Sequence, residues 1–198
     1  MTTVNIANQT IDVNIEHLAL EENQITDLTP LHSLTSLKAL FLCHNKITDI
    51  TPISALTNLT TLSFWDNEVT DLTPIGKLIN LTELGLGDNN ITDLTPMRTL
   101  TKLIETDLEH NNIINLTPLQ TLFSLRNLYL SDNQIEDITP LSTLVNLKEL
   151  GLYKNRITDV TPLYSLINLT KLELSNNPLK DFQINELRLA IPNCEIII

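Results

Sequence analysis

Apolar residues fall on one template along most of the chain. In Leu37-Lys38-Ala39-Leu40-Phe41-Leu42-Cys43-His44-Asn45-Lys46-Ile47, the alternation around Leu40 and Leu42 gives way to a polar Asn45 and then to Ile47. Period-two alternation predicts a short strand with one face turned inward. The asparagine recurs every 22 residues without a slip, at Asn23, Asn45, Asn67, Asn89, Asn111, Asn133, Asn155 and Asn177. A fixed period of this length means one supersecondary unit stacked on copies of itself. Each unit is entered at the same point, so successive strands are expected to be parallel. The asparagine follows the strand where the chain turns inward, and its amide can donate to and accept from turn backbone that would otherwise be buried unpaired. Eight of them are expected to form a structural ladder.

The other half of the template reads Ile47-Thr48-Asp49-Ile50-Thr51-Pro52-Ile53-Ser54-Ala55-Leu56. Thr-Pro returns at Thr29, Thr51, Thr73, Thr95, Thr117, Thr139 and Thr161. Thr is a good helix N-cap and Pro suits the first helical position, so each pair predicts a short 3₁₀ or α turn on the outer side. Asp27, Asp49, Asp71, Asp93, Asp137, Asp159 and Asp181 form a second row, broken at Asn115. One carboxylate per repeat, placed beside a helix start, suits the turn better than a chain of cations.

The ends depart from the template, as the capping units of a repeat array must. Residues 1–14 are expected to form an N-terminal cap, with Val4, Ile6, Ile11 and Val13 closing the first core layer. Residues 15–180 hold the eight repeats. Residues 181–198 form a C-terminal cap: an amphipathic helix from Asp181 to Ala190, with Ile184, Leu187 and Ile191 inward, and a closing strand after Pro192. One continuous domain is expected.

The 22-residue phrase Leu-x-x-Leu-x-Leu-x-x-Asn-x-Ile-Thr-Asp-Leu-Thr-Pro-Leu-x-x-Leu-Thr-Asn resembles the leucine-rich repeats of bacterial internalins and, more loosely, those of the phosphatase-regulating SDS22 family. The resemblance covers roughly residues 15 to 182. It implies an α/β fold: a right-handed leucine-rich-repeat solenoid with a parallel sheet on its concave face and short turns on its convex side. It also implies recognition of a protein on the concave face. Regulation of an intracellular enzyme, and adhesion as a surface module, are the alternatives it leaves open.

Composition narrows the partners. Lys and Arg number 12 against 24 Asp and Glu, a net charge of −12. Such a field repels nucleic acid and anionic membranes and favours a partner with a basic patch, although solubility accounts for the same acidity. No apolar run reaches the length of a membrane span. Residues 1–198 are expected to hold no signal peptide, immunoglobulin-like domain or wall anchor of the kind that secreted internalins carry. Cys43 and Cys194 lie about seven repeats apart, roughly 34 Å at the ~4.8 Å strand spacing, too far to pair. Unpaired thiols suit a reducing compartment, so a cytoplasmic, monomeric protein is expected, with a surface location if a leader has been removed.

Aromatic residues make up only 4% of the chain, which makes their placement informative. Strand alternation points the third, fifth and seventh template positions away from the core. Phe41, Trp65, Tyr129 and Tyr153 all fall on the fifth or seventh, where core packing does not require them. Clustered exposed aromatics mark binding hot spots. Gly85 and Gly87 stand on adjacent outward positions, where glycine costs strand stability. They predict a dent in the sheet walled by Trp65, Asp107 and Glu109, with Glu83 and Asp88 beside it, into which a partner's Lys or Arg would fit. Catalysis finds no support. His17, His32, His44 and His110 lack a ligand pattern, Cys43 and His44 diverge on a strand, and no phosphate loop or nucleophile elbow occurs. No cofactor or metal is expected.

Overall fold

A computed structural model describes residues 3–198. It opens with an antiparallel hairpin of β1 (Thr3–Ile6) and β2 (Gln9–Asp12). A nine-stranded sheet follows, with one three-residue strand from each of the eight repeats and a ninth from the C-terminal segment. Its members are β3 (His17–Ala19), β4 (Ala39–Phe41), β5 (Thr61–Ser63), β6 (Glu83–Gly85), β7 (Glu105–Asp107), β8 (Asn127–Tyr129), β9 (Glu149–Gly151), β10 (Lys171–Glu173) and β11 (Glu195–Ile197). Neighbours in sequence are neighbours in space, every pairing is parallel, and the register is exact to the template. Short 3₁₀ turns, from Thr29–Ser33 to Thr161–Ser165, stack on the convex side opposite the strands. Helix α1 (Asp181–Ala190) packs on the last of these turns, and β11 closes the sheet beside β10. No helix of the described residues is long and apolar enough to cross a membrane.

The core follows from the template. Leu37, Leu40, Leu42, Ile47, Ile50, Ile53 and Leu56 of one repeat are all buried, and the same positions recur in the next. Full burial of each such side chain stabilises the fold by about 1.5–3 kcal/mol. A lone repeat has nothing to cover these residues, so stability comes from stacking. Two substitutions break the aliphatic rule. Phe64 stands at a leucine position and is fully buried, and Thr106 replaces the central leucine of β7. The Thr106 hydroxyl is satisfied by donating to the Leu84 carbonyl at 2.9 Å.

The asparagine ladder forms as its chemistry requires. Asn45 Nδ2 donates to the carbonyls of Leu20, Leu42 and Cys43, while its Oδ1 accepts from the Ile25 and Asn23 amides. The pattern recurs down the stack, with Asn111 reaching Leu86, Leu108 and Glu109 and accepting from Ile91.

The helical turns start differently from the expectation. The residue before each Thr is the cap, with Leu28 at φ −97° and ψ 3°, and no threonine hydroxyl caps a turn. The aspartate two residues earlier takes that role instead: Asp27 Oδ1 accepts the Thr29 amide at 2.8 Å, and Asp49, Asp71, Asp93 and Asp137 do likewise. Asn115 does not interrupt the device, since its Oδ1 accepts the Thr117 amide at 2.9 Å. The turn needs an acceptor oxygen, and charge is optional. Asp181, the last of the row, is the first residue of α1, where the amphipathic pattern also put it.

Candidate protein-binding face

Strand alternation brings one row of side chains onto the concave surface in register: Phe41, Ser63, Gly85, Asp107, Tyr129, Gly151 and Glu173, one per strand from β4 to β10. Beside it runs the row of Cys43, Trp65, Gly87, Glu109, Ser131 and Tyr153. The four aromatic side chains on this face differ in exposure. Phe41, Trp65 and Tyr129 are half-buried, and only Tyr153, at 37%, counts as exposed. Along the chain they fall in neighbouring repeats two by two, Phe41 then Trp65 and Tyr129 then Tyr153, with the glycine and acidic positions of two repeats between.

The structure divides the expected dent in two. A Cβ on Gly87 would stand 2.5 Å from Trp65 Cδ1 and 2.6 Å from its Nε1, so the indole lies over Gly87 as a cover and is not a wall. Gly87 is buried in consequence. Glycine is required there for space, since no glycine in the chain has a positive φ. The opening that remains, about 160 Å³, sits over Ser63 and Gly85 between Phe41 on one side and Asp107 on the other, with Glu83 and Glu105 at its flank. Glu109 turns away from it. Its Oε1 lies 3.5 Å from the Cβ position of Gly151 and lines a second hollow of about 320 Å³ with Tyr129, Ser131, Glu149 and Glu173. Asp88 lines neither hollow.

Sequence reasoning passed over Ser63, Glu105, Ser131, Glu149, Lys171 and Glu173. Ser63 and Glu173 stand beside Phe41, Gly85 and Gly151 in the outward row, whereas Glu105, Glu149 and Lys171 lie in a row of the sheet that holds no aromatic or glycine. His44, weighed in the sequence only as a ligand or base, has another part here. This ring meets Trp65 edge-on, with centroids 4.9 Å apart at 76°, and its Nδ1 lies 2.7 Å from Asp66 Oδ2. His44 and Asp66 thus hold the indole from the rim. Both belong to a position that is left-handed in every repeat, with φ between 50° and 58° from Glu22 to Asn176. Asp, Asn and His tolerate that conformation best, which explains their frequency there.

Charge on the face is governed by crowding. Burial, then the nearby Glu109 carboxylate, pushes the Asp107 carboxyl above its ordinary range, against the Glu109 amide that it accepts at 2.9 Å. Tyr129 donates to Glu149 Oε2 at 3.2 Å, and burial together with that carboxylate pushes its phenol up to about 12. The phenol therefore stays neutral and serves as a donor and an aromatic wall. Among the described residues no group of three His, Cys, Asp or Glu is arranged to hold a metal ion. Cys43 and Cys194 are both free, and Cys43 Sγ lies 3.0 Å from Ser63 Oγ. On one flank of the solenoid Lys102, Arg126 and Lys148 gather around Ile104, a local basic strip in an acidic chain.

A family model described as leucine-rich repeats in two copies matches residues 13–55, 57–99, 123–165 and 145–189. The crystal structure of internalin C2 from Listeria monocytogenes superposes with a TM-score of 0.88 at 31% identity, covering 96% of this chain and 84% of that one. Internalin F of the same organism gives 0.78 at 32% identity, over 93% of this chain and 60% of that one. A leucine-rich-repeat protein of Leptospira interrogans gives 0.73 at 29% identity, over 92% and 54%. A search of curated proteins by sequence finds no match.

Proposed function

The chain belongs to the leucine-rich-repeat family, with internalin-like repeats, and we propose that it is a non-catalytic module that binds a partner protein on its concave face. Proteins of this fold typically serve as interaction scaffolds. One observation carries the reading further. Half of the eight aromatic residues of the chain stand on the concave surface, outside the core that the template builds. They alternate there with small residues and carboxylates. Aromatic anchors set in shallow hollows with a polar surround are the anatomy of a recognition surface. The solenoid encloses no chamber for chemistry, and its histidines at the rim are engaged with aspartates.

Likeness to internalin C2 along nearly the whole chain supports internalin-like recognition over regulation of an intracellular enzyme. Free Cys43 and Cys194 support a reducing compartment as the place of work. A comparative pull-down with mass spectrometry tests the proposal, using the wild-type chain and a Trp65→Ala/Tyr129→Ala double variant. A protein enriched by the first and lost by the second is the expected result. Equal recovery by both baits would move the interface to the convex side or the caps. A partner set made only of extracellular proteins would overturn the compartment.

A further inference from the structure

The concave row repeats its own chemistry. From β4 it runs aromatic, small, small, acidic: Phe41, Ser63, Gly85, Asp107. From β8 it runs aromatic, small, acidic: Tyr129, Gly151, Glu173. Each run is one hollow, with an aromatic wall at the N-terminal side, a floor of residues too small to fill it, and a carboxylate wall opposite. Phe41 and Tyr129 are four strands apart, which at the ~4.8 Å strand spacing sets the hollows about 19 Å from one another.

Resting on the concave-face reading above, we propose that the two hollows act together, each receiving one Lys or Arg side chain from a single basic segment of the partner. An aromatic face beside a carboxylate suits a cation, and a shallow floor admits a long side chain end-on. The field agrees. Over β6 to β10 the outward positions hold Glu83, Glu105, Asp107, Glu109, Glu149 and Glu173 against Lys171 alone. Lys171 lines the second hollow and forms no ion pair among the described residues. It is a resident cation in the place a partner's cation would take. The 19 Å separation fixes the ligand: two bases about six positions apart in an extended segment, at ~3.3 Å per residue, or about 13 positions apart in a helix, at 1.5 Å.

The test uses the full chain, ¹⁵N-labelled, with the Gly85 and Gly151 amides as one reporter in each hollow. The probes are Gly/Ser peptides carrying two arginines six residues apart, the same pair two residues apart, and one arginine with the other replaced by glutamine. The six-residue pair is expected to shift both amides along one binding curve, at least tenfold tighter than the single-arginine peptide, because the second contact becomes intramolecular. Phe41→Ala is expected to remove that gain while the Gly151 shift persists, and Lys171→Gln to strengthen the Gly151 response. Shifts at one glycine only, at neither, or with an affinity indifferent to spacing would overturn the inference. If neither glycine responds while the pull-down still depends on Trp65 and Tyr129, concave-face recognition stands and the paired-cation reading alone falls.

Discussion

Replacing Asn111 by alanine tests the ladder at a rung whose neighbours are all in place. Three carbonyls lose a donor, yet each keeps another. Leu86 O still accepts from Asn89 Nδ2 at 3.2 Å, Leu108 O from Asn133 Nδ2 at 2.9 Å, and Glu109 O from the Asp88 amide at 3.0 Å. The Ile91 amide is different. Its partner is Asn111 Oδ1 at 2.9 Å, and Ile91 is wholly buried. One orphaned buried donor costs about 1–3 kcal/mol, and the void left by the carboxamide adds to it. A total of about 2–3 kcal/mol follows, or a fall in Tm of roughly 4–12 °C for a chain of this size. Asn23 is the control. It is the exposed first rung, and its side chain makes a single bond to the Glu21 carbonyl. Asn23→Ala is expected to stay within about 0.5 kcal/mol of wild type. Urea unfolding followed by circular dichroism gives both values, and amide exchange at Ile91 locates the effect. Equal costs for the two variants, or unchanged exchange at Ile91, would refute the account of the ladder.

The turn-starting aspartates predict acid sensitivity. The hydroxyl and amide of the following threonine hold Asp71, Asp93 and Asp137 below the ordinary carboxylate value of 3.8. A depressed folded pKa contributes stability that is present above the unfolded value and lost as pH falls through the folded one. Tm should therefore be level from pH 7 to about 5 and drop below about 4; a flat profile to pH 3 would contradict this. Asp107 has the opposite sign, since burial raises its carboxyl, so Asp107→Asn is expected to raise Tm at pH 7 while keeping an acceptor for the Glu109 amide. Gly87→Ala puts a methyl where the Trp65 indole lies, and should turn the ring out to water with a red shift of its fluorescence. Unchanged emission would mean that the indole does not cover Gly87.

The period, the parallel sheet and the convex turns were legible because each rests on residue type at a fixed spacing. The acceptor at each turn was harder. Thr-Pro advertises a helix start, but a side chain two residues back reaches the free amide, and only geometry distinguishes it from the threonine hydroxyl. Asn115 looked like a break because the row was read as charge, whereas the turn uses an oxygen. Which outward residues line each hollow depended on rotamers. Trp65 folds over Gly87 because His44 and Asp66 hold its edge from the preceding repeat and the rim, and Glu109 turns toward Tyr129 instead of Gly85. Such choices are made between repeats, and a template read one repeat at a time does not contain them.

The central claim is that the concave face receives the partner, and site-specific photo-cross-linking tests it most directly. p-Benzoylphenylalanine replaces Phe41, at the wall of the first hollow, or Arg98, exposed on a convex 3₁₀ turn. After irradiation with the protein recovered by the wild-type bait, a covalent adduct is predicted from position 41 and none from position 98. An adduct from position 98 with none from position 41 would contradict the claim and place recognition on the convex side.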